Sequence, residues 1–439
     1  MRLRLFFNTL VLCFCLLWAG AAPAMAARVL TVDIHGPGQN KANIYLAPAF
    51  AQEGTTLPSM SPKLAEAIRN DLAYLPFLSP ELPENILGGP KLKGATSKYI
   101  DFKRFQLSKV DLLVSTVWTE TLGEQSVELR VYEVFSGNLF LGKAYSNIGP
   151  DNVTLVADRF CADLMKALTG QEGFFSSSLV FSRNQGKQRT IWRVSATGRK
   201  LRQLTQDEGK ALSPSFSPDG KRVVFSYVSR NGHRLGVWEK GQKTRLLKLR
   251  GNSVIGPTFT PNGNIALTLD MTGQPDIYLL GPDYKVVQEL AKSWAIDVSP
   301  SFDSSGKLMA FTSGRAGNPH IFLLNRETKE VRRITYDGKY NTSPSLSPDG
   351  RLIVFSRDSS EGHRLFLHDL ASGREKQLTF GPGSDETPAF SPDGYHIVFA
   401  SSRSGEYKLY MTTRYGDPAV LVNTGPGDAK SPAWGPAMD

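Results

Sequence analysis

The sequence predicts a mixed fold: an N-terminal α/β domain followed by an all-β six-bladed propeller that is closed by the C-terminal strand. Two observations predict the propeller. A motif of Pro, any residue and an aromatic or Leu, followed by a polar turn, occurs at Pro214–Gly220, Pro257–Gly263, Pro300–Gly306, Pro344–Gly350 and Pro388–Gly394, with a partial copy at Pro432-Ala433-Trp434. The first prolines of successive copies lie 43 or 44 residues apart, the period of a four-stranded blade. A third observation predicts the other domain: residues 27–170 show no such period and alternate strand and helix patterns.

Composition sets the frame for these elements. A chain of 439 residues with 41% hydrophobic and 21% charged side chains is globular in type. It is also longer than one core accommodates, so two domains are expected. Residues 1–26 read as a secretory signal peptide: Arg2 and Arg4, an apolar run from Leu5 to Trp18, then small residues up to Ala24-Met25-Ala26. Cleavage is expected between Ala26 and Ala27. The apolar run is too short to span a bilayer and no later segment approaches that length, so an exported chain without stable membrane insertion is expected. It would retain one cysteine, Cys161, which cannot form an intrachain disulfide and is expected to be a buried, inert thiol.

In residues 27–170, strands are expected at Val29–Ile34, Ile44–Ala49, Leu112–Val117, Val127–Val134 and Leu139–Tyr145. A first helix is expected to be capped by Ser61, with Pro62 in its first turn, Leu64, Ala65, Ile68, Leu72 and Leu75 on the buried stripe, and Pro76 as its stop. A second is expected over Val153–Leu168, burying Val153, Val156, Ala157, Phe160, Leu164 and Leu168 and ending at Gly170. The Pro/Gly/Lys-rich stretch Leu82–Lys98 reads as a surface loop. Residues 176–436 form the propeller domain, each period supplying four strand signals, with Pro-Asp-Gly corners as tight turns between the first two. The first period, from Ser178, lacks its Pro-x-Phe strand, and Pro432-Ala433-Trp434 has nothing else. The C-terminal strand is therefore expected to complete the first blade, leaving only short protected edges.

Strand order also predicts a recognition face. The Pro-Asp-Gly turns lie on one side and are uniform, whereas the connections into each innermost strand lie on the other and differ from blade to blade. Variable loops on a rigid repeat are where recognition usually sits. The candidate rim residues are Asp207, Lys210, Ser253, Trp294, Asp297, Tyr340, Asn341, Asp385, Glu386, Asp428 and Lys430. Trp294 and Tyr340 stand out as amphipathic aromatic anchors. Residues 176–439 carry 35 basic and 25 acidic side chains, against 14 and 16 in residues 27–175, so an acidic partner would meet the propeller faster. Bases beside the outer strands also discourage edge-to-edge pairing.

The junction Leu168-Thr169-Gly170-Gln171-Glu172-Gly173-Phe174-Phe175, set between a small α/β domain and a Pro-Asp-Gly propeller, resembles the TolB family of the Tol-Pal system. Asn43–Phe50, Asn70-Asp71-Leu72 and Val110–Val114 extend the resemblance over essentially the whole mature chain. It implies a non-catalytic, monomeric periplasmic protein whose propeller binds the peptidoglycan-associated lipoprotein Pal and whose N-terminal arm, Arg28, Val29, Leu30, Thr31, Val32 and Asp33, binds the inner-membrane protein TolA. Such an adaptor supports outer-membrane integrity and constriction during division, and binding at rim and arm would be coupled.

Catalytic readings find little to stand on. There is no Gly-x-Ser-x-Gly elbow and no hydrolase domain after the propeller. His233, His320 and His363 recur 19 or 20 residues after their repeat's first proline instead of converging. No cofactor, metal or nucleic acid is expected; Asp219, Asp349 and Asp393 sit on separate corners without calcium-site spacing. A carbohydrate-binding or polysaccharide-lyase-type use of the channel stays open as the alternative, because such a site would be assembled from several blades.

Overall fold

The computed structural model describes residues 41–436 except 90, 91, 172 and 187. The signal peptide, the arm and the strand expected at Val29–Ile34 lie outside the described residues.

An α/β region comes first. Its sheet runs in the order Leu78–Pro80, Ala42–Leu46, Leu112–Thr121, Glu124–Glu133, Leu139–Tyr145, with Phe50–Ala51 also paired to Leu112–Thr121. Ala42–Leu46 is parallel to both its neighbours, and the last three strands form an antiparallel meander. Helix α1 (Ser61–Leu72) makes the crossover between the first two parallel strands. Its N-cap is Met60, which makes no side-chain capping bond, so Ser61 is instead the first helical residue and is buried, with Pro62 beside it. Ala67 and Asp71 are buried where Ala65 was expected, and Leu75 is buried just beyond the helix. The described residues of the 82–98 stretch form a loop, with short 3-10 turns at Pro83–Asn85 and Ser97–Tyr99. Helix α2 (Phe102–Leu107) follows it. Helix α3 (Val153–Thr169) buries the whole expected stripe and Cys161, and ends on Gly170 in a left-handed conformation, φ 78°.

From Ser178 onward the chain is a β-propeller. Four sheets of four antiparallel strands begin at Val254, Asp297, Asn341 and Asp385. An eight-stranded sheet holds two further four-strand meanders, in contact through the single pair Lys210↔Arg189. In one of them Ala429–Gly435 pairs antiparallel with Ser178–Gln185, joining the last strand to the first. The innermost strands are stitched to one another: the hydroxyls of Ser215, Ser301 and Ser345 accept the N–H of Phe259, Leu346 and Phe390 in the next sheet at 3.2, 3.0 and 3.0 Å.

The corners follow turn chemistry. Ser217 Oγ donates to Asp219 at 2.5 Å and accepts the Arg222 N–H at 2.9 Å, while Gly220 takes φ 67°. A Cβ there would lie 2.2 Å from Pro436, so this glycine also makes room for the closing strand. In the copy at Asp303-Ser304-Ser305-Gly306 the two polar residues exchange places. Asp303 accepts the Leu308 N–H at 2.9 Å, the position filled elsewhere by the serine.

The uniform Pro-Asp-Gly side, opposite the expected recognition face, is where the α/β region docks. His396 bridges Asp393 of the last corner, 3.2 Å from Nδ1, and the Tyr74 carbonyl, 3.0 Å from Nε2. Tyr74 donates its hydroxyl to the Leu421 carbonyl at 3.2 Å. Phe174 of the junction is fully buried among Tyr74, Phe175, His396 and Trp434. Arg199 enters between the helices, bonding Asp71 of α1 through two nitrogens at 2.7 and 2.9 Å and Asp158 of α3.

Burial pushes the Asp393 carboxyl up, but His396, the Ser391 hydroxyl and the Tyr395 N–H outweigh it and hold the group down to about 2, below its ordinary 3.8. A depressed carboxyl stabilises the fold above the unfolded value and loses that contribution as pH falls through the folded one. Asp393→Asn is therefore expected to cost roughly 2 kcal/mol at neutral pH and to flatten the acid limb between about pH 4 and 2. Thermal unfolding across pH checks this: an unchanged acid limb would rule out the assignment.

Candidate partner-binding face of the propeller

Every innermost strand carries the same irregularity. The residue before its proline has a left-handed backbone: Ser213 (φ 48°), Gly256 (54°), Ser299 (57°), Ser343 (53°), Thr387 (49°) and Ser431 (53°). The register shifts there in all six strands. The extra residue resets the inward/outward alternation, so that the proline and the residue three before it are both buried.

That shift decides the fate of the predicted rim. Asp297, Asn341 and Asp385, expected to face a partner, are buried. They accept from Arg315, Arg357 and Arg403 at 2.7, 2.7 and 2.9 Å. Each guanidinium in turn lies over two rings of its own sheet: Phe311 and Phe322, Phe355 and Phe366, Phe399 and Tyr410. The three acceptors hold the sheets together from inside, and the bulge, which no local pattern announces, is the reason. Arg357 also reaches Glu375 at 2.6 Å. Nearby, burial together with Arg333 and Arg357 pushes the His320 imidazole down.

The other candidates reach the surface. Trp294 is 71% exposed and Tyr340 45%. Lys210 is exposed, and Asp207, Ser253, Glu386, Asp428 and Lys430 are half-buried. Glu386 accepts the Tyr407 hydroxyl at 2.5 Å and lies 3.6 Å from Lys430 and 4.0 Å from His363. Lys430 sits over the Tyr407 ring at 3.3 Å. Burial, then the hydrogen bond and charge of Glu386, push the Tyr407 phenol up to about 12. The Asp428 carboxylate accepts the Tyr407 backbone N–H at 2.9 Å and the Asn184 side-chain amide at 3.3 Å, and so fixes the loop by which the last sheet meets the first.

Two aromatic residues of this face were missed. Tyr336 and Phe380 are about 70% exposed and follow the buried Thr335 and Thr379. Those threonines accept the Ile321 and Leu365 N–H at 3.0 Å, latching the outermost strand to its neighbour and directing the next residue outward. The recurrence of this threonine at Thr205, whose hydroxyl holds the Ile191 N–H at 2.9 Å, was the available signal. Trp294, Tyr336, Tyr340 and Phe380 thus occupy three consecutive connections, while Asp207, Glu208 and Asp428 make the opposite arc polar. On the Pro-Asp-Gly side the innermost strands surround a cavity of about 680 Å³ lined by their prolines, hydroxyls and rings. Among the described residues no group of three or more His, Cys, Asp or Glu is placed to hold a metal.

Removing one partner of a buried ion pair strands the other. Asp297→Ala is therefore expected to lower stability by about 3 kcal/mol, whereas Trp294→Ala changes it by less than about 0.5 kcal/mol. Thermal melts of the two variants test the division between frame and surface; equal melting temperatures would overturn it.

The comparisons with known proteins follow this architecture. A family profile described as "TolB beta propeller domain" matches residues 165–438. The chain is 46% identical over 313 residues to the Tol-Pal system protein TolB of Nitratidesulfovibrio vulgaris, covering 70% of each. It is 32% identical over 307 residues to a TolB homologue of Chlorobium luteolum, covering 70% of this chain and 69% of the relative. The crystal structure of TolB from Acinetobacter baumannii superposes with a TM-score of 0.76 over 92% of this chain and 99% of that one, at 22% identity, which speaks for the fold. With the profile spanning more than half the sequence, the chain belongs to the TolB family of Tol-Pal system proteins.

Proposed function

We propose that this protein is a non-catalytic periplasmic adaptor of the Tol-Pal system, exported by a signal peptide cleaved between Ala26 and Ala27. Its propeller binds the lipoprotein Pal at the rim opposite the Pro-Asp-Gly corners, and its arm, residues 28–33, binds TolA. Residues 27–170 and 176–436 are the two domains. The eight-stranded sheet counts as two blades touching at one residue pair, which makes six in all.

The observation that carries this reading is the run of exposed aromatics on a face the α/β region leaves uncovered. Trp294 and Tyr340, with Tyr336 and Phe380, supply rigid, amphipathic contact area of the kind that dominates interface energetics. Lys210, Asp207, Ser253, Glu386, Asp428 and Lys430 form the polar surround that would set orientation. Asp297, Asn341 and Asp385 act only by holding the frame. Rim and arm are coupled if an arm that docks or swings free is biased by what the rim holds, a two-state element that both ligands can shift.

Affinity capture of a Pal-type lipoprotein by residues 27–439 tests the reading. Retention is expected, with Trp294→Ala/Tyr340→Ala weakening it by at least about ten-fold at unchanged melting temperature. Failure to retain the lipoprotein would overturn the assignment. TolA affinity measured with and without bound Pal is expected to differ, and equal values would reject coupling.

A further inference from the structure

Charge in the α/β region is unevenly distributed. Residues 91–110 carry six basic and one acidic side chain, whereas the remainder of residues 27–175 carries eight basic and fifteen acidic. A strongly positive segment inside an otherwise acidic domain has a physical consequence only if the structure gathers it on one surface. The local hydrogen bonds do so for its second half, residues 103–109. Ser108 Oγ, just after α2, accepts the Leu87 N–H at 3.0 Å. Arg104 donates to the Gly89 carbonyl at 3.3 Å. Gln106 donates to the Val134 and Phe135 carbonyls, both at 3.1 Å. Helix α2 thereby ties the 87–89 loop and the 134–139 turn to one end of the domain.

Large apolar side chains are exposed at that end. Phe135 is 88% exposed, Leu107 63% and Leu87 56%. Lys103, one helical turn before Leu107, is on the same side of α2, and Lys109 follows in a left-handed conformation, φ 58°. Both lysines are exposed. The acidic groups nearby are Asp101, 3.9 Å from Arg104, Glu133, which accepts the Ser136 hydroxyl at 2.6 Å, and Asp111, whose carboxylate is taken up by the Asn43 N–H at 2.7 Å. The helix itself packs through the fully buried Phe105 onto Tyr45, Leu113 and Tyr132. Strand alternation places those residues on the sheet face opposite Ile44, Leu112 and Val114. The docking residues Asp71 and Asp158 come from α1 and α3 instead, so the propeller contact does not use this end.

Exposed leucine and phenylalanine amid a cluster of bases is the chemistry of a peripheral lipid contact: apolar side chains enter the headgroup boundary while the cations meet anionic headgroups. We propose that the end of the α/β region formed by Leu87, Leu107 and Phe135 with Lys103, Arg104 and Lys109 is a docking surface for an anionic lipid bilayer. This goes beyond the adaptor reading and does not depend on which protein occupies the rim.

Co-sedimentation of residues 27–439 with vesicles tests it, using mixed phosphatidylethanolamine and phosphatidylglycerol against phosphatidylcholine. Binding is expected to the anionic vesicles, weaker on phosphatidylcholine and falling with added salt. Lys103→Glu/Lys109→Glu and Leu107→Ser/Phe135→Ser are each expected to reduce it by at least about ten-fold, with circular dichroism and melting unchanged. Lys243→Glu/Lys248→Glu on an outer propeller edge is expected to leave it intact. Absence of anionic-vesicle binding, wild-type-level binding by either α/β-region variant, or loss caused by the propeller-edge variant would each overturn the proposal. Capture of an acidic peptide by this surface without vesicle binding would do the same, assigning it to a protein partner.

Discussion

One left-handed residue ahead of each inner-strand proline governs the propeller. Five of the six positions are Ser or Thr, residues that adopt this conformation at a cost of about 1 kcal/mol or more each, so the surrounding ladder must over-determine it. What the bulge achieves is a change of phase along the strand. The residue three before the proline turns inward, and Asp297, Asn341 and Asp385 there become buried acceptors for Arg315, Arg357 and Arg403. Each arginine is satisfied on its edge by the acceptor and on its faces by aromatic rings. The polar ends of the sheets are consequently rigid, and the loops above them can vary.

The same logic explains how one side of the ring was left open. The α/β region is held to the Pro-Asp-Gly side by two different devices. Arg199 is shared by two buried carboxylates, an arrangement that fixes geometry more surely than it adds stability. Phe174 supplies what the ion pairs do not, a fully buried apolar plug at the junction, with His396 hydrogen-bonded to both regions beside it. Burial pushes the Asp71 carboxyl up to about 7 against the pull of Arg199. The described α/β region is thus committed to one face by groups that tolerate little displacement, and none of its described elements covers the aromatic connections of the opposite face.

Much of this was legible beforehand because it is local or periodic. The corner chemistry of Ser217 and Asp219 is contained within a few residues, so the Pro-Asp-Gly motif announces it. The stripe of α3 and its stop at Gly170 follow from helical spacing and a left-handed cap. The pairing of Ala429–Gly435 with Ser178–Gln185 could be inferred by counting strands. Reading failed where a neighbour in space decides the outcome. Ser61 looked like a cap but is buried as the first residue of its helix, and nothing in the local pattern marks Asp71 as the partner of Arg199, 128 residues away.

The sequence by itself determined the class of fold, the period, the turns, the order of the strands and the family, because repeats, turn residues and apolar spacing are written in neighbouring positions. Tertiary structure alone decided which polar residues of the rim are frame and which are surface. Asp297 and Trp294 stand three residues apart, and both were candidate contacts in the sequence. A bulge and an arginine from the adjacent strand bury the first, and none of the described residues covers the second, because burial depends on what the rest of the chain brings alongside.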